Sequence, residues 1–391
     1  MTNEYQKIKE NKYGCWFYNG VFYKDKIDAL KKTTNNYPPT QTFFYYHDPL
    51  WLNYNLNTLG KRPLPLLYKE RALQLRDRYD HLVLHYSGGS DSHNILRTFI
   101  DNNIKLDEIT VRWPKALTDG KLYTPNKSDT SAANTASEWD YVIKPELQKL
   151  QRTHPKIKIN IYDYTEKITT SSHNVDILEN KLLSLNSCRG ALISLAMRMD
   201  NEYDRKLTTS SSENVGHIFG VEKPTLFCRD NKLYFYFTDA PFEIMLMNDA
   251  LRENRVESFY WAPDYPELTM EQVYQVGLYF KNNPDKLYLL NNDTKTISDI
   301  NTHYTLQQAV IKQIIYDTWD YTKFQADKPN IDRSDTYFWL HYSSELNSLQ
   351  QSHHQLMHNI TSSLREDSLI NTNKTPLFKP YRSRLFYLMD L

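Results

Sequence analysis

Short apolar runs alternate with amphipathic stretches through the middle of the chain. Leu82-Val83-Leu84-His85-Tyr86 is too short for a helix and ends at a Gly doublet, the form of a strand buried on both faces. Upstream, behind Pro63 and Pro65, the run from Leu67 to Tyr79 holds good helix formers at helical spacing. Downstream, Ile95, Leu96, Phe99 and Ile100 repeat that spacing. Ile109 to Trp113, Ile157 to Tyr162 and His217 to Gly220 read as further strands, with helices expected over Glu138 to Gln151 and Asn186 to Met199. Strands alternating with helices predict an α/β domain whose parallel sheet is covered on both faces.

The flanks carry other patterns. Trp16 to Tyr23 predicts a β-hairpin, because Asn19-Gly20 supplies the positive φ angles of a type I′ turn. A short helix over Lys24 to Lys32 and a strand over Thr42 to Tyr46 complete a small aromatic α+β region. A second hairpin is expected from Leu226 to Asp239, around Asp230-Asn231. Beyond Pro241 the pattern is mainly helical to about Glu366, broken at Gly277 and Pro284, and the chain ends in a basic, aromatic tail. The expected organisation is an N-terminal region at 1–66, an α/β domain at 67–240 and a mainly helical region at 241–391.

Composition narrows the class. A chain of 391 residues with 40% hydrophobic and 24% charged content is that of a folded, multi-domain protein. Its formal net charge of zero gives no global basic footprint for nucleic acid. Cys15, Cys188 and Cys228 are scattered, which argues against a disulfide framework or a CxxC zinc site and for a reducing cytoplasm. No run approaches the ~20 apolar residues that span a bilayer, so no membrane partner is expected.

Chemistry concentrates at one junction. The chain has ten glycines, and the adjacent pair Gly88-Gly89 falls between an expected strand and an expected helix. In an open α/β sheet that is where ligands bind. Consecutive glycines let backbone N–H groups gather around an anion, and the helix adds its positive end. Ser87, Ser90 and Ser92 offer hydroxyls, and Asp91 offers an oxygen ligand for Mg²⁺. The bland alternative is a turn that merely joins strand to helix. A helix terminus contributes roughly 0.3–1 kcal/mol against one charge, so a triphosphate also requires a metal ion and a Lys or Arg from elsewhere. A Walker loop carries that Lys itself, and this loop does not.

The strand, Ser87-Gly88-Gly89-Ser90-Asp91-Ser92, and helix together resemble the PP-loop of the ATP pyrophosphatases, the adenine nucleotide alpha hydrolase-like superfamily. That group includes the synthetase domains of asparagine, GMP and NAD synthetases and tRNA-modifying enzymes. The likeness extends over about Leu82 to Asp239 and is nearest to the C-terminal domain of asparagine synthetase. It implies a doubly wound, mostly parallel PP-loop/HUP-like sheet. It also implies ATP as substrate, with residues 87–92 holding the pyrophosphate portion and Asp91 catalytic and ligating Mg²⁺. Val111 and Trp113, in Val111-Arg112-Trp113, would offer backbone groups to adenine. The implied reaction is attack of a substrate oxygen on the α-phosphate, giving an adenylate and pyrophosphate, then displacement of AMP by nitrogen or sulfur.

Other candidates keep two readings each. In the segment from Asn214 to Pro224, Lys223 would be the missing catalytic cation and Glu222 a metal contact, or both are solvated charges on a turn. This segment differs from the glycine- and acid-rich loop of asparagine synthetases. Ser210 to Glu213 lines the substrate end of the cleft, caps a helix or forms a polar loop. Arg112 and Arg189 bind phosphate or carboxylate, or make ordinary ion pairs. His354 and His358 have metal-binding spacing without an acidic partner, and Cys188 is a lone thiol. The tail from Lys374 through Lys379, Arg382 and Arg384, with Phe378, Tyr381 and Phe386, covers the active site, touches RNA or packs as a C-terminal strand.

Absences trim the family. Asparagine synthetase places a nucleophilic Cys at position two, where this chain has Thr2, and roughly eighty residues before the loop are too few for a glutaminase domain. Deazapurine synthases need four Cys and this chain has three. The favoured expectation is an adenylating, ligase-like enzyme acting on an unknown small-molecule or RNA acceptor, with amide formation ahead of tRNA modification. The alternative is a nucleotide-binding assembly or regulatory module that meets a partner protein through its aromatic N-terminal region.

Overall fold

The computed structural model describes residues 2–24, 29, 43–113, 115, 139–163, 214–220, 225–239, 255–290, 307–317, 319 and 382–391. Its centre is a five-stranded sheet of β4 (His81–His85), β5 (Glu108–Trp113), β6 (Lys158–Asp163), β7 (Val215–Phe219) and β10 (Val256–Ser258). The spatial order is β10-β7-β4-β5-β6 and every neighbouring pair is parallel. From β6 across to β10 this is the 3-2-1-4-5 order of a Rossmann-like wound sheet, and the order reverses between β4 and β7. The α/β class and the parallel sheet are as expected. The fifth strand is a correction, because β10 lies in the stretch expected to be helical.

Side chains alternate across this sheet. Leu82, Leu84, Tyr86, Ile109, Val111 and Trp113 share one core with Ile95, Leu96 and Phe99 of α4 (Ser90–Asp101) and Leu147 and Leu150 of α5 (Lys144–Thr153). Trp113 stacks on Trp139 at 5.5 Å, in a π-helical turn that leads into α5. Pro145, which has no N–H to give, falls where that turn becomes an α-helix. The opposite face is polar: His85, Glu108, Thr110 and His217 are all buried there. Asn160 donates to Glu108, and His81 and Lys158 approach it at 3.6 and 3.8 Å.

β10 is an edge strand with its edge covered. Arg255 O and Phe259 N bond to β7, so Val256 and Ser258 turn their carbonyls outward. Tyr13 Oη donates to Val256 O (2.8 Å) and Arg71 Nη2 to Ser258 O (2.8 Å), which removes the acceptors an incoming strand would use. Arg71 belongs to α3 (Leu64–Arg78), the helix expected before β4.

Two three-stranded sheets flank the centre. One has the order β2-β1-β3, from β1 (Cys15–Tyr18), β2 (Val21–Tyr23) and β3 (Phe43–Tyr45), and its hairpin turns through Asn19 (φ 47°) and Gly20 (φ 84°). The other joins β8 (Thr225–Arg229), β9 (Lys232–Tyr236) and the C-terminal β11 (Phe386–Asp390). Aromatic contacts fuse them: Phe237 lies 4.7 Å from Tyr46, 4.9 Å from Trp51 and 4.9 Å from Trp261. The Phe44 N–H reaches Arg382 O (3.2 Å), tying the two ends of the chain together.

Among the described residues, four further α-helices are α1 (Thr2–Lys9), α2 (Asp48–Leu52), α6 (Pro266–Asn282) and α7 (307–315). Among the described residues no helix is long and apolar enough to cross a membrane. The helix expected over Asn186 to Met199, and most of that over Lys24 to Lys32, lie outside the described residues.

Candidate functional site

The loop leaves β4 at the point where strand order reverses, so its first residues stand between β4 and β7 at their carboxyl ends. Gly88 has φ 81°, a backbone conformation that a side chain would strain. The loop is laced by two hydroxyls. Ser92 Oγ donates to Gly89 O (3.2 Å) and accepts the Ser87 N–H (3.1 Å). Its one proton being used, it accepts the hydroxyl proton of Ser87 across 3.1 Å, while Ser87 Oγ accepts the Gly89 N–H at 3.3 Å. Both protons are therefore spent inside the loop. Ser90 differs: its hydroxyl is fully buried and has no hydrogen-bond partner among the described residues.

Helix α4 starts uncapped. Gly89 has no side chain to meet the first N–H groups, and His93 N–H, bonded to Gly89 O at 3.0 Å, is the first to close a helical turn. The N–H groups of residues 90–92 thus precede the helical ladder at its positive end. Gly220, directly after β7, lies hard against them. A Cβ there would stand 3.0 Å from Ser92 N and 3.1 Å from Asp91 C, so glycine lets the second strand close on the first turn of α4 without displacing its backbone.

Asp91 is gripped from two distant parts of the chain. Tyr260, just past β10, donates its hydroxyl to Asp91 O (2.7 Å) and accepts from Asn94 Nδ2 (3.2 Å). Tyr316, just past α7, donates to Asp91 Oδ1 (2.8 Å). Burial pushes both phenols well above their usual pKa, which keeps them protonated donors. Nothing in the sequence pointed to either tyrosine, because both contacts are purely tertiary. His93, two residues along, shares a hydrogen bond between Nδ1 and Tyr86 Oη (3.1 Å) and meets the Trp319 ring edge-on; burial lowers its pKa.

On the polar face a directed chain runs across three strands. Arg112 Nη1 can only donate, so His85 Nδ1 accepts (2.8 Å). The His85 Nε2–H then donates to His217 Nδ1 (3.1 Å), and Phe219 stacks on the His85 ring at 4.2 Å. Arg112, a sequence candidate for phosphate binding, thereby sits two residues from the loop through His85. Its neighbours Val111 and Trp113 turn their side chains into the apolar core, and their backbone runs in the ladder with β6.

The remaining candidates divide plainly. Residues 87–92 come together as the turn after β4 and the first turn of α4. Glu222, Lys223, Cys188, Arg189, Ser210 to Glu213, His354, His358 and Lys374 to Tyr381 lie outside the described residues. In the tail, Arg384 pairs with Asp48 at 2.8 Å and lies over the Phe43 ring, and Arg382 lies over Phe227 and Tyr236. A cavity of about 150 Å³ opens elsewhere, outside β10, lined in part by Lys12, His47, Arg78, Trp261 and Asp264. It is smaller than ligand pockets of roughly 300–1,000 Å³. Its charges also pair with one another, through Lys12–Glu257 and Arg78–Asp264.

Among the described residues no group of three or more His, Cys, Asp or Glu side chains assembles as a metal centre. Mg²⁺ on a nucleotide needs less, since one or two carboxylates and phosphate oxygens suffice. Asp91, the uncommitted Ser90 hydroxyl and the open helix terminus fit that requirement. Fold and loop define a wound α/β protein with a glycine turn at the reversal point. Compared with known protein families, curated proteins and solved structures, the chain shows no match.

Proposed function

We propose that this protein is an ATP-dependent adenylating enzyme of the PP-loop type, converting ATP to AMP and pyrophosphate while activating an acceptor. The observation that carries this reading is the uncapped start of α4, which follows Gly88-Gly89 at the order reversal of a 3-2-1-4-5 sheet. In the proposal the N–H groups of residues 90–92 and the Ser90 hydroxyl hold the β- and γ-phosphates. Ser87 and Ser92 shape the loop rather than donate to ligand. Adenine lies toward the end of β5, by the backbone of Val111 and Trp113. Asp91 ligates Mg²⁺, which would neutralise phosphate charge and orient the triphosphate for attack at its α-phosphorus. Lys223 and Glu222 add the cation and a second metal contact, and the helices beyond residue 240 help to select a small-molecule or RNA acceptor.

One observation favours a second reading, a module that binds nucleotide without turnover: the protons of Ser87 and Ser92 are both used within the loop. Turnover of α-labelled ATP with Mg²⁺, in wild type and Asp91→Ala, separates the two across pools of small metabolites and RNA. AMP and pyrophosphate from wild type alone support the enzyme. ATP bound but returned intact supports the module, and absence of ATP binding ends both.

A further inference from the structure

The carboxylate of Asp91 is oriented by a residue 225 positions away, at the end of α7. Tyr316 is completely buried, and its ring cannot swing. It packs at 5.5 Å from Tyr260 and 6.5 Å from Tyr68. The backbone beside it is fixed as well, because Tyr68 Oη donates to Ile315 O (2.6 Å) while accepting from Gln272 Nε2 of α6 (3.1 Å). The main chain of Asp91 is held separately by Tyr260. With its main chain and Oδ1 both engaged, the carboxylate is held in one orientation.

Resting on the reading above, we propose that Tyr316 is a positioning residue: it fixes the Asp91 carboxylate that would meet the Mg²⁺ of a bound nucleotide. A merely structural tyrosine would hold α7 against α4 whether or not metal is present. A positioning tyrosine acts on the metal-dependent part of nucleotide binding. The docking of α7, which begins more than two hundred residues after the loop, then sets how strongly the loop responds to Mg²⁺.

The test measures ATP affinity by calorimetry on the full chain, in EDTA and across a Mg²⁺ titration, for wild type and Tyr316→Phe. The expected result is unchanged affinity in EDTA and about a tenfold rise in the Mg²⁺ concentration that half-maximally enhances binding, the scale of one hydrogen bond to a charged group. Affinities lowered equally with and without metal, or a variant whose Mg²⁺ response equals wild type, overturn the inference alone. A wild type that binds no ATP removes the functional reading and this inference with it. If Tyr316→Phe does not fold, 3-fluorotyrosine placed at position 316 keeps the hydroxyl. Its ¹⁹F resonance should move when Mg²⁺ is added to the ATP-bound protein, and a resonance that stays still overturns the proposal.

Discussion

Gly216→Ala tests how tightly the sheet is locked to the helix layer. A Cβ at position 216 would stand 2.5 Å from Cγ and Cδ2 of Tyr79 and 2.9 Å from Cδ1. Carbon atoms rest at about 3.5–4.0 Å, so the ring would have to retreat by about 1 Å. It has no slack for that. The Tyr79 hydroxyl donates to Glu257, its N–H bonds to Leu75 O at 3.1 Å, and its carbonyl accepts from Arg76. Glu257 is itself bound by Arg71 (3.4 Å), Arg78 (3.1 Å) and Lys12 (3.6 Å). Overpacking costs about 1–3 kcal/mol, and breaking a hydrogen bond to a buried carboxylate about 1.5–3 kcal/mol. Reduced freedom of the unfolded chain offsets about 0.4–1 kcal/mol. The expected net loss is about 1.5–5.5 kcal/mol, read as a lowered urea midpoint at unchanged slope. In a Tyr79→Ala background the same substitution should cost nothing, which gives a strong coupling in the double-mutant cycle. A Gly216→Ala protein as stable as wild type, or one equally destabilised in both backgrounds, would refute the reasoning.

Gly220→Ala presses on backbone rather than on a ring, so its expected cost is about 1 kcal/mol with a larger effect on the loop. ATP affinity should fall in calorimetry, and unchanged affinity would show that the first turn of α4 is not the binding element. Burial lowers the pKa of His47 and His93 below the unfolded value of about 6.5. Above that pH both states are neutral and stability is full; as pH falls, the unfolded chain takes protons that the native chain refuses. The thermal midpoint should therefore drop between pH 7 and about pH 5, and a flat profile there would contradict the burial of these imidazoles. Burial, helped by nearby Asp48, pushes the Cys15 thiol up to about 12. Iodoacetamide at pH 8 should leave Cys15 unmodified in the native protein and label it after denaturation, as read by peptide mass spectrometry.

Local pattern was enough for β4, the loop, α4 and β5, because each is specified by its own residues: a short apolar run, two glycines, a 3.6 period, a second short run. It was not enough for β10. Val256-Glu257-Ser258 has no period of its own, and what makes it a strand is β7 on one side with Tyr13 and Arg71 on the other. The polar face is a subtler case. Glu108-Ile109-Thr110-Val111-Arg112-Trp113 alternates as a half-exposed strand would, yet Glu108 is 0% and Thr110 3% exposed. Burial is tolerated because the carboxylate is met by Asn160, Thr110, His81 and Lys158, from its own strand and from both neighbours. Alternation reports which residues share a face, and the tertiary structure decides whether that face meets water.

The same division runs through the candidate site. Two glycines and a following helix are a local device, so the strand–turn–helix junction could be read directly. The hydrogen bonds within it could not. Ser87 and Ser92 bond to each other across the turn, whereas the Ser90 hydroxyl has no partner among the described residues. Asp91 is bound by Tyr260 and Tyr316, 169 and 225 residues away, and neither has a signature that sequence could show. These contacts come from the segments after β10 and α7, which pack together through Tyr68, Tyr260 and Tyr316. A disturbance that loosens this aromatic cluster must therefore act on Asp91 at both its main chain and its carboxylate. The chemistry available at the turn is set as much by helix packing in the second half of the chain as by the motif itself.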